Sequence, residues 1–188
     1  MQIFIATTNR HKVGEISAIL SEYGISVKQK SLKILEPDFN SIEEVAKSKA
    51  EQAFAKLKKP VIAEDTGVYF DAYHNFPGIF AKRVYEGIGF DGLLSLIRRV
   101  KNRSAHFGTA ICYYDGKTFK VFSGYLRGKL LLRAVSVDKD RLPYEKLFVP
   151  AGYSNALVNL DIKEKNRISH RALATRKLAK WLVLRKGK

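Results

Sequence analysis

The chain has 188 residues, of which 46% are hydrophobic, and this suits one domain, or one domain with a small lobe, around a sizeable core. No stretch approaches the roughly 18 apolar residues that a membrane span requires. The chain starts with a strand-like run, Gln2 to Ala6, and has no signal-peptide pattern. We therefore expect a cytoplasmic protein without a membrane segment.

The net charge of +16, from 34 basic and 18 acidic residues, has three interpretations. Basic residues neutralise the phosphates of nucleic acids, and a positive field also steers small anionic substrates. The third interpretation is a heat-adapted surface, because many Lys, Arg and Glu residues occur with one Cys and only the initiator Met. We favour the third interpretation, and charge alone does not decide the function.

Cys112 is the single cysteine of the chain, so an intramolecular disulfide is excluded. It lies in the strand-like run 109–113, and free cysteines are commonly buried. We therefore expect an inert thiol in the core, since cysteine-based catalysis has no second feature in its favour.

The hydrophobic pattern of the first hundred residues predicts alternating strands and helices. The predicted elements are a strand over 2–7, a helix from a cap at Thr8 or Asn9 to about 23, a strand over 25–28, a helix from a capping box at Ser41 to about 57, strands over 61–64 and 68–72, a loop over 74–80 and a helix over 89–101.

The remaining residues predict a hairpin and a terminal helix. Strands over 105–114 and 117–126 are joined by Asp115-Gly116, a strong signal for a two-residue turn, and another strand follows Gly128. Ser169 is predicted to cap a basic helix that ends near residue 184. Together the elements indicate an α/β fold with a mixed central sheet flanked by helices.

The segment from Glu64 to Gly67 is the most informative of the chain. Two acids, a hydroxyl and a glycine follow the apolar run Pro60 to Ala63, and this predicts an oxygen-rich turn at a strand end. Hard cations such as Mg²⁺ bind such oxygens, and ligands of open α/β sheets lie at this end of the strands. Asp and Gly are also ordinary turn residues, so a purely structural turn is the alternative.

The first strand-to-helix turn is a second candidate site. A helix N-terminus offers backbone N–H groups to a phosphate, and Thr7, Thr8, Asn9 and Lys12 would add donors around it. The segment lacks the spacing of a Walker loop. A plain helix cap with a solvated lysine explains the pattern equally well.

Four polar residues surround the predicted start of the last helix, namely Lys165, Ser169, His170 and Arg171. Cations at a helix N-terminus oppose the helix dipole, and an anionic ligand between them would remove that conflict. A basic surface helix explains the later lysines of this helix but explains Ser169-His170-Arg171 poorly. A structural role for His170 is the alternative.

Five motifs occur together in an order and spacing that resemble a known family. They are Thr7-x-Asn9-x-x-Lys12-x-x-Glu15, Glu64-Asp65-Thr66-Gly67, Phe76-Pro77-Gly78, Phe122-Ser123-Gly124 with Gly128, and Glu164-Lys165-Asn166 with Ser169-His170-Arg171. The chain resembles the inosine/xanthosine triphosphate pyrophosphatases, the house-cleaning nucleotide diphosphatases. No single motif is decisive, but five in order are highly specific and cover essentially the whole chain.

The resemblance implies a Mg²⁺-dependent hydrolysis of a nucleoside triphosphate to the monophosphate and pyrophosphate. Asp65 would be the general base and a metal ligand, and Glu36 would be the second metal-binding acid. Thr66 would contact the substrate beside the base. The residues implied to bind the triphosphate are Thr7, Asn9, Lys12, Lys49 and Lys82. The residues implied to read the purine are Lys165, His170 and Arg171, and Thr8, Tyr144, Glu145 and Ser169 complete the implied substrate-binding set.

The resemblance also implies a two-lobed single chain with the substrate cleft between the lobes, and a homodimer. The phosphate-binding half would comprise mainly residues 1–100 and the C-terminal helix, and the base-side lobe residues 101–160. One stretch departs from the family pattern, because Leu142 replaces an aromatic residue and Glu145 replaces Asp. These replacements bear on base selectivity more than on hydrolysis.

The expected substrates are ITP, dITP and XTP, since donors such as Lys165 and Arg171 suit a purine carbonyl at position 6. The rival expectations are a nucleotide- or nucleic-acid-binding relative without catalysis, and a pyrophosphatase of other modified nucleotides. The presence of Asp65 and Lys12 favours the enzyme, and we do not expect a nucleic-acid partner.

Overall fold

A computed structural model describes residues 1–35, 38–137 and 143–186. Within these residues seven strands form one mixed sheet in the order β2-β1-β3-β5-β6-β7, with β4 paired to β3. The strands are β1 Gln2–Ala6, β2 Ser26–Lys30, β3 Val61–Phe70, β4 Pro77–Gly78, β5 Ser104–Tyr114, β6 Phe119–Leu130 and β7 Phe148–Pro150. The helices are α1 Arg10–Ser21, α2 Ile42–Leu57, α3 Ala81–Arg98, α4 Ile162–Ile168 and α5 His170–Lys186. The predicted α/β class is confirmed.

The chain divides into two compact units. Unit 1 comprises Met1–Thr66, Thr109–Tyr125 and Asn166–Lys188. Unit 2 comprises Gly67–Gly108 and Leu126–Lys165. The predicted split into a phosphate half and a base half, and the cleft, stay predictions.

The strands of unit 1 bury a different set of side chains on each face. Strand β1 pairs in parallel with β2 and β3, and successive residues of a strand point to opposite faces. Ile3, Ile5 and Ile62 pack with α1 and α5 in one apolar cluster. Ala6 and Val61 pack with α2 in another cluster. The alternation therefore decides which helix a side chain of β3 can reach.

Two predicted helix caps are confirmed in unit 1. Asn9 Oδ1 accepts hydrogen bonds from the backbone N–H groups of His11 and Lys12, at 3.0 and 3.2 Å. Ser41 Oγ accepts the N–H of Glu44 at 3.2 Å. Both caps satisfy N–H groups that a helix leaves without an internal partner.

The predicted turn from Glu64 to Gly67 is wrong, because this segment lies inside the ten-residue strand β3. Gly67 is explained by packing, not by a turn: a Cβ atom there would lie 2.6 Å from the hydroxyl of Tyr69, two residues along the same face. The predicted strands over 61–64 and 68–72 are therefore one strand, and its acids alternate between the two faces.

Three further boundaries differ from the predictions. The β5–β6 loop has four residues, 115–118, because Asp115 Oδ1 accepts the N–H groups of Lys117 and Thr118 at 3.1 and 2.8 Å. Helix α3 begins at Ala81, eight residues early, and Gly89 kinks it with φ 59°. The strand predicted after Gly128 is the end of β6, which continues to residue 130.

The predicted last helix is confirmed as α5, and a short helix that was not predicted, α4, precedes it. Residues 162–168 form α4, and α5 begins at His170 after a break at Ser169. Ser169 Oγ accepts the N–H of Ala172 at 3.1 Å, so the predicted cap is confirmed. In the described part of the chain, no helix combines the length and apolar character that a bilayer crossing requires.

Candidate functional site

The loop between β1 and α1 is organised by its own side chains. Thr7 Oγ1 accepts the N–H of Asn9 at 3.1 Å, and Asn9 Oδ1 then caps α1. Ala6 pairs with Ala63 across β1 and β3, so this loop follows the strand end beside Glu64. Thr7 and Asn9 thus fix the backbone of a helix N-terminus at the carboxyl edge of the sheet, where anions bind favourably.

A buried network of alternating charges lies on the α1 and α5 side of β3. Lys12 Nζ is 2.5 Å from Glu64 Oε2, and Glu64 Oε1 accepts a hydrogen bond from Arg171 Nε at 3.1 Å. Arg171 Nη1 is 2.5 Å from Glu15 Oε2. The network therefore joins the first helix, the third strand and the last helix through four side chains.

Two threonines extend this network. Arg171 Nη2 donates to Thr66 Oγ1 at 3.2 Å, and Thr66 Oγ1 is 2.7 Å from Thr109 Oγ1. The hydroxyl of Thr66 also donates to Glu64 Oε1. Glu64 and Thr66 are two residues apart in an extended strand, so they share a face and meet the same arginine.

Opposing effects act on the pKa of Glu64. Burial of the carboxyl group favours the neutral form, but the positive charges of Lys12 and Arg171 outweigh it and hold the pKa well below its ordinary value of 4.5. Hydrogen bonds from Lys12 and Thr66 act in the same direction as the charges. Glu64 is therefore ionised at neutral pH although it is fully buried.

Asp65 points to the opposite face of β3 and meets α2. Its Oδ1 atom is 3.3 Å from Nζ of Lys49, and both side chains keep partial exposure, 14% and 13% respectively. A carboxylate that is partly open to solvent and fixed beside a cation can bind a metal ion or accept a proton. Its partial exposure beside Lys49 thus makes Asp65 the candidate reactive group of this face.

Unit 2 contains a second buried ion pair. Lys165 Nζ donates to Glu145 Oε1 at 2.7 Å, and the two side chains are 3% and 1% exposed. The other oxygen, Glu145 Oε2, is buried and has no hydrogen-bond partner among the described residues. Tyr144 is also buried: its hydroxyl donates to Ala81 O at 2.8 Å, and burial raises its pKa.

Comparison with known proteins decides the family. Residues 3–181 match the model of the Ham1 family. The chain belongs to the Ham1 family. A relative from Hyperthermus butylicus, named dITP/XTP pyrophosphatase, is 38% identical over 181 residues, which are 96% of this chain and 94% of the relative. A protein of the same name from Aquifex aeolicus is 35% identical and covers 95% of both chains.

Solved structures of Ham1 proteins share the fold. One from Coxiella burnetii superposes with a TM-score of 0.85 at 24% identity, over 97% of this chain and 98% of that one. A structure from Mycobacterium abscessus, described as a nucleoside-triphosphatase and dITP/XTP pyrophosphatase, gives a TM-score of 0.72 at 26% identity, over 97% and 99%.

The predicted site residues of this Ham1 chain differ in their contacts and in their exposure to solvent. Unit 1 brings together Lys12, Thr66 and Arg171 through Glu64, and Lys49 with Asp65. His170 is buried at the start of α5, and Thr8 is exposed. Lys82 lies in unit 2, on the first turn of α3, and forms an exposed pair with Glu86 at 3.7 Å.

In this Ham1 chain, Glu36 is predicted to be a metal ligand and Arg171 is predicted to contact the purine. Glu36, the predicted second metal ligand, lies outside the described residues. Arg171 is fully buried, and its Nε, Nη1 and Nη2 atoms donate to Glu64, Glu15 and Thr66, respectively. Its predicted contact with a purine stays a prediction, and its observed partners are all protein groups.

Glu64, Glu15 and Thr109 were not among the predicted site residues of this Ham1 chain. Glu64 contacts both Lys12 and Arg171. Its place in the site could have been predicted from the alternation of side chains along a strand. In a strand over residues 61–70, residue 64 points to the same face of the sheet as Ile62, and α1 and α5 pack against that face.

Proposed function

We propose that this protein hydrolyses non-standard purine nucleoside triphosphates, with ITP, dITP and XTP preferred, to the monophosphate and pyrophosphate. The observation that carries the proposal is the partly exposed Asp65–Lys49 pair in unit 1, whose first helix also has a capped N-terminus. The names of the two curated relatives, both dITP/XTP pyrophosphatase, support the substrate class.

The triphosphate would bind at the edge of unit 1. Its charge of about −4 requires cationic groups and N–H donors, and catalysis of phosphoryl chemistry is largely positioning and electrostatic stabilisation. Lys12 is 16% exposed at the start of α1, and Lys49 is 13% exposed on α2, where it contacts Asp65. Backbone N–H groups of the loop that Thr7 and Asn9 hold would add neutral donors.

Asp65 would act as the general base and as a ligand of Mg²⁺. Mg²⁺ in nucleotide enzymes is commonly held by one or two carboxylates together with substrate phosphates, and the partly exposed carboxylate of Asp65 fits that pattern. Glu64 does not fit, because Lys12 and Arg171 use both of its oxygens. When bound, the ion would neutralise phosphate charge and lower the pKa of water. Asp65 would orient the attacking water and accept its proton.

The base would be recognised by complementary hydrogen bonds from Glu145 and Lys165. A purine with a carbonyl at position 6 presents an oxygen acceptor and an adjacent N–H donor. Lys165 Nζ is a donor, and Glu145 Oε2 is a buried acceptor without a hydrogen-bond partner in the described part of the chain. Adenine reverses both groups, so it would leave buried polar atoms unpaired, at a cost in affinity.

We also propose a cytoplasmic homodimer, on the family resemblance alone. Light scattering at micromolar concentration should give twice the monomer mass of 21.3 kDa. A monomeric mass across the accessible concentration range contradicts this part of the proposal and leaves the enzymatic part untouched.

The test of the function is the release of pyrophosphate from ITP, XTP, dITP, GTP and ATP, each with Mg²⁺ and with EDTA. We expect metal-dependent release, fastest with the deaminated purines and slowest with ATP. Coupled assays for pyrophosphate and for inorganic phosphate are run in parallel, because the proposed reaction produces only the former.

Several outcomes contradict the proposal. Inorganic phosphate and a diphosphate as first products place the cleavage at the wrong bond. Equal rates with ATP and ITP refute the recognition assigned to Glu145 and Lys165. An absence of hydrolysis with every nucleotide refutes the enzyme, and salt-sensitive binding of DNA or RNA would then favour a binding protein.

A further inference from the structure

A buried hydroxyl group on β5 contacts two side chains of the neighbouring strand β3. Thr109 is fully buried, and β5 lies next to β3 in the sheet. Its Oγ1 atom is 2.7 Å from Thr66 Oγ1 and donates to Glu64 Oε1 at 3.4 Å. None of the five sequence motifs includes Thr109, and the proposed function gives it no role.

The two side chains that Thr109 contacts belong to the residues on either side of Asp65 in the chain. Side chains alternate along a strand, so Glu64 and Thr66 point to the face of β3 opposite to Asp65. The backbone of Asp65 is therefore continuous, in both directions, with a residue whose side chain is bonded to β5. Because this backbone sets the direction in which the carboxylate points, a restraint on the opposite face reaches Asp65.

We propose that Thr109 is a positioning residue that holds Asp65 in its reactive orientation by fixing Glu64 and Thr66. The inference rests on the proposed function in one respect, since it takes Asp65 to be the reactive carboxylate. Thr109 itself contacts neither substrate nor metal, and it acts through the backbone of residues 64–66.

The hydrogen-bonding capacity of Thr66 supports this role for Thr109. A threonine hydroxyl has one proton and two lone pairs. Thr66 donates its proton to Glu64 Oε1 and accepts a hydrogen bond from Arg171 Nη2 at 3.2 Å. With that proton used, the contact of 2.7 Å requires Thr109 to donate to the second lone pair. The contact with Thr109 thus completes the capacity of Thr66 and fixes its hydroxyl from a third direction.

Thr109 is also the residue at which this restraint can be removed cleanly. Arg171 contacts the same two side chains, but it is predicted to contact the purine as well, so its substitution would change two properties at once. Thr109→Val removes one hydroxyl and keeps the shape of the side chain. Thr66 then retains Glu64 as its acceptor and Arg171 as its donor, so the substitution leaves its hydroxyl with partners.

The experiment measures kcat and KM for pyrophosphate release from ITP at saturating Mg²⁺. Thr109→Val should lower kcat about 10-fold and change KM less than about 2-fold, because a displaced reacting group costs rate while the binding groups remain. Thr109→Ser keeps the hydroxyl, and its kcat should stay within about 2-fold of the wild type. Equal losses in the two variants overturn the proposal, and so does a raised KM with an unchanged kcat.

Thr175→Val is the matched control for the loss of a buried hydroxyl in unit 1. Thr175 is fully buried, and its Oγ1 atom donates at 2.7 Å to the backbone oxygen of Arg171, one turn earlier in α5. Such a bond within a helix can be lost without a change elsewhere, so kcat should stay within about 2-fold of the wild type. A loss of kcat equal to that of Thr109→Val overturns the proposal, because any buried hydroxyl would then have the same effect.

A double-mutant cycle with Asp65→Asn separates action through Asp65 from general damage. In that background Thr109→Val should change the residual kcat less than about 2-fold, because the group through which it acts is gone. A loss of about 10-fold in both backgrounds overturns the proposal. The thermal midpoint of Thr109→Val should fall by about 2–4 °C, as for one hydrogen bond, and if this variant does not fold, Thr109→Ala replaces it in every measurement.

Amide hydrogen exchange followed by NMR gives a readout that needs no substrate. Thr109→Val should speed the exchange of the amides of Asp65 and Thr66 about 5-fold and leave the amides of α1 unchanged, because the loosened segment opens locally. Unchanged exchange at both amides overturns the inference.

The outcome is separable from that of the proposed function. Hydrolysis by the wild type that Thr109→Val leaves unaltered overturns the inference and leaves the function standing. An absence of hydrolysis by the wild type refutes the function, and the exchange rates of Asp65 and Thr66 then decide alone whether Thr109 restrains this segment.

Discussion

Nζ of Lys49 lies 3.3 Å from Oδ1 of Asp65, so helix α2 and strand β3 each supply one member of a partly exposed ion pair. The pair lies on the face of β3 opposite to the buried network of Glu64. The adjacent acids therefore differ in environment: Glu64 is buried between Lys12 and Arg171, whereas Asp65 stays partly exposed to solvent.

The first prediction concerns Asp65. Replacing it with Asn keeps the shape but removes the proton acceptor, so kcat for ITP should fall by about 10³-fold while the thermal midpoint changes little. Stopped assays of pyrophosphate release give kcat, and circular dichroism confirms the fold. Turnover within about threefold of the wild type would refute the role of Asp65 as the base.

The second prediction concerns Lys49. Lys49→Met removes a charge that faces the proposed triphosphate, and kcat should fall about 10²-fold, whereas Lys49→Arg should recover part of it. Lys47→Met is the matched control on the same helix, because Lys47 is exposed and lies over the ring of Phe119 at 5.3 Å. Equal effects of the two Met substitutions would show that α2 contributes only general charge.

The third prediction is a dependence of stability on pH. The folded-state pKa of Glu64 is depressed, so its contribution is present above its ordinary pKa of 4.5 and is lost as the pH falls below that value. Between pH 7 and pH 3, the difference in unfolding free energy between the wild type and Glu64→Gln should shrink by about 2 kcal/mol. Urea titrations across this pH range measure it, and a difference that stays constant contradicts the prediction.

The helix caps could be predicted from the sequence, whereas the strand that carries Glu64 and Asp65 could not. Local rules identified the caps at Asn9 and Ser41, because a cap depends on one side chain and its nearest amides. The turn predicted from Asp65 and Gly67 is wrong, because strand β3 continues to residue 70 and Gly67 leaves room for the side chain of Tyr69, and composition does not distinguish a turn glycine from a packing glycine. Reading a turn in place of a strand also hid the alternation that separates Glu64 from Asp65.

The partners of the buried charges also could not be predicted from the sequence. The sequence predicts that Lys165 and Arg171 lie around one helix start, but it does not predict that Lys165 pairs with Glu145 and Arg171 with Glu15 and Glu64. Arg171 and Glu15 are 156 positions apart in the chain, and no periodic pattern connects them. A single sequence supplies the charges but not their partners.

The fourth prediction concerns the buried pair of Glu145 and Lys165. Glu145→Leu or Lys165→Met alone should lower the unfolding free energy by about 3–5 kcal/mol, because each leaves a buried charge without its partner. The double variant should recover most of the loss, since apolar side chains replace both charges. Denaturant unfolding measures all three, and additive losses in the double variant would disprove the coupling.

The fifth prediction compares two glycines of unit 1. A Cβ atom at Gly124 would overlap the backbone oxygen of His170 and lie 2.7 Å from the backbone nitrogen of Ala174, so β6 and α5 approach each other too closely for a side chain. Gly124→Ala should lower the unfolding free energy by about 1–3 kcal/mol and weaken substrate binding, because the start of α5 must shift. At Gly14 on α1, a Cβ atom would meet nothing within 4 Å, so Gly14→Ala is the matched control and should raise stability by about 0.5–1 kcal/mol. A neutral Gly124→Ala with an unchanged KM would show that α5 can move without cost to the site.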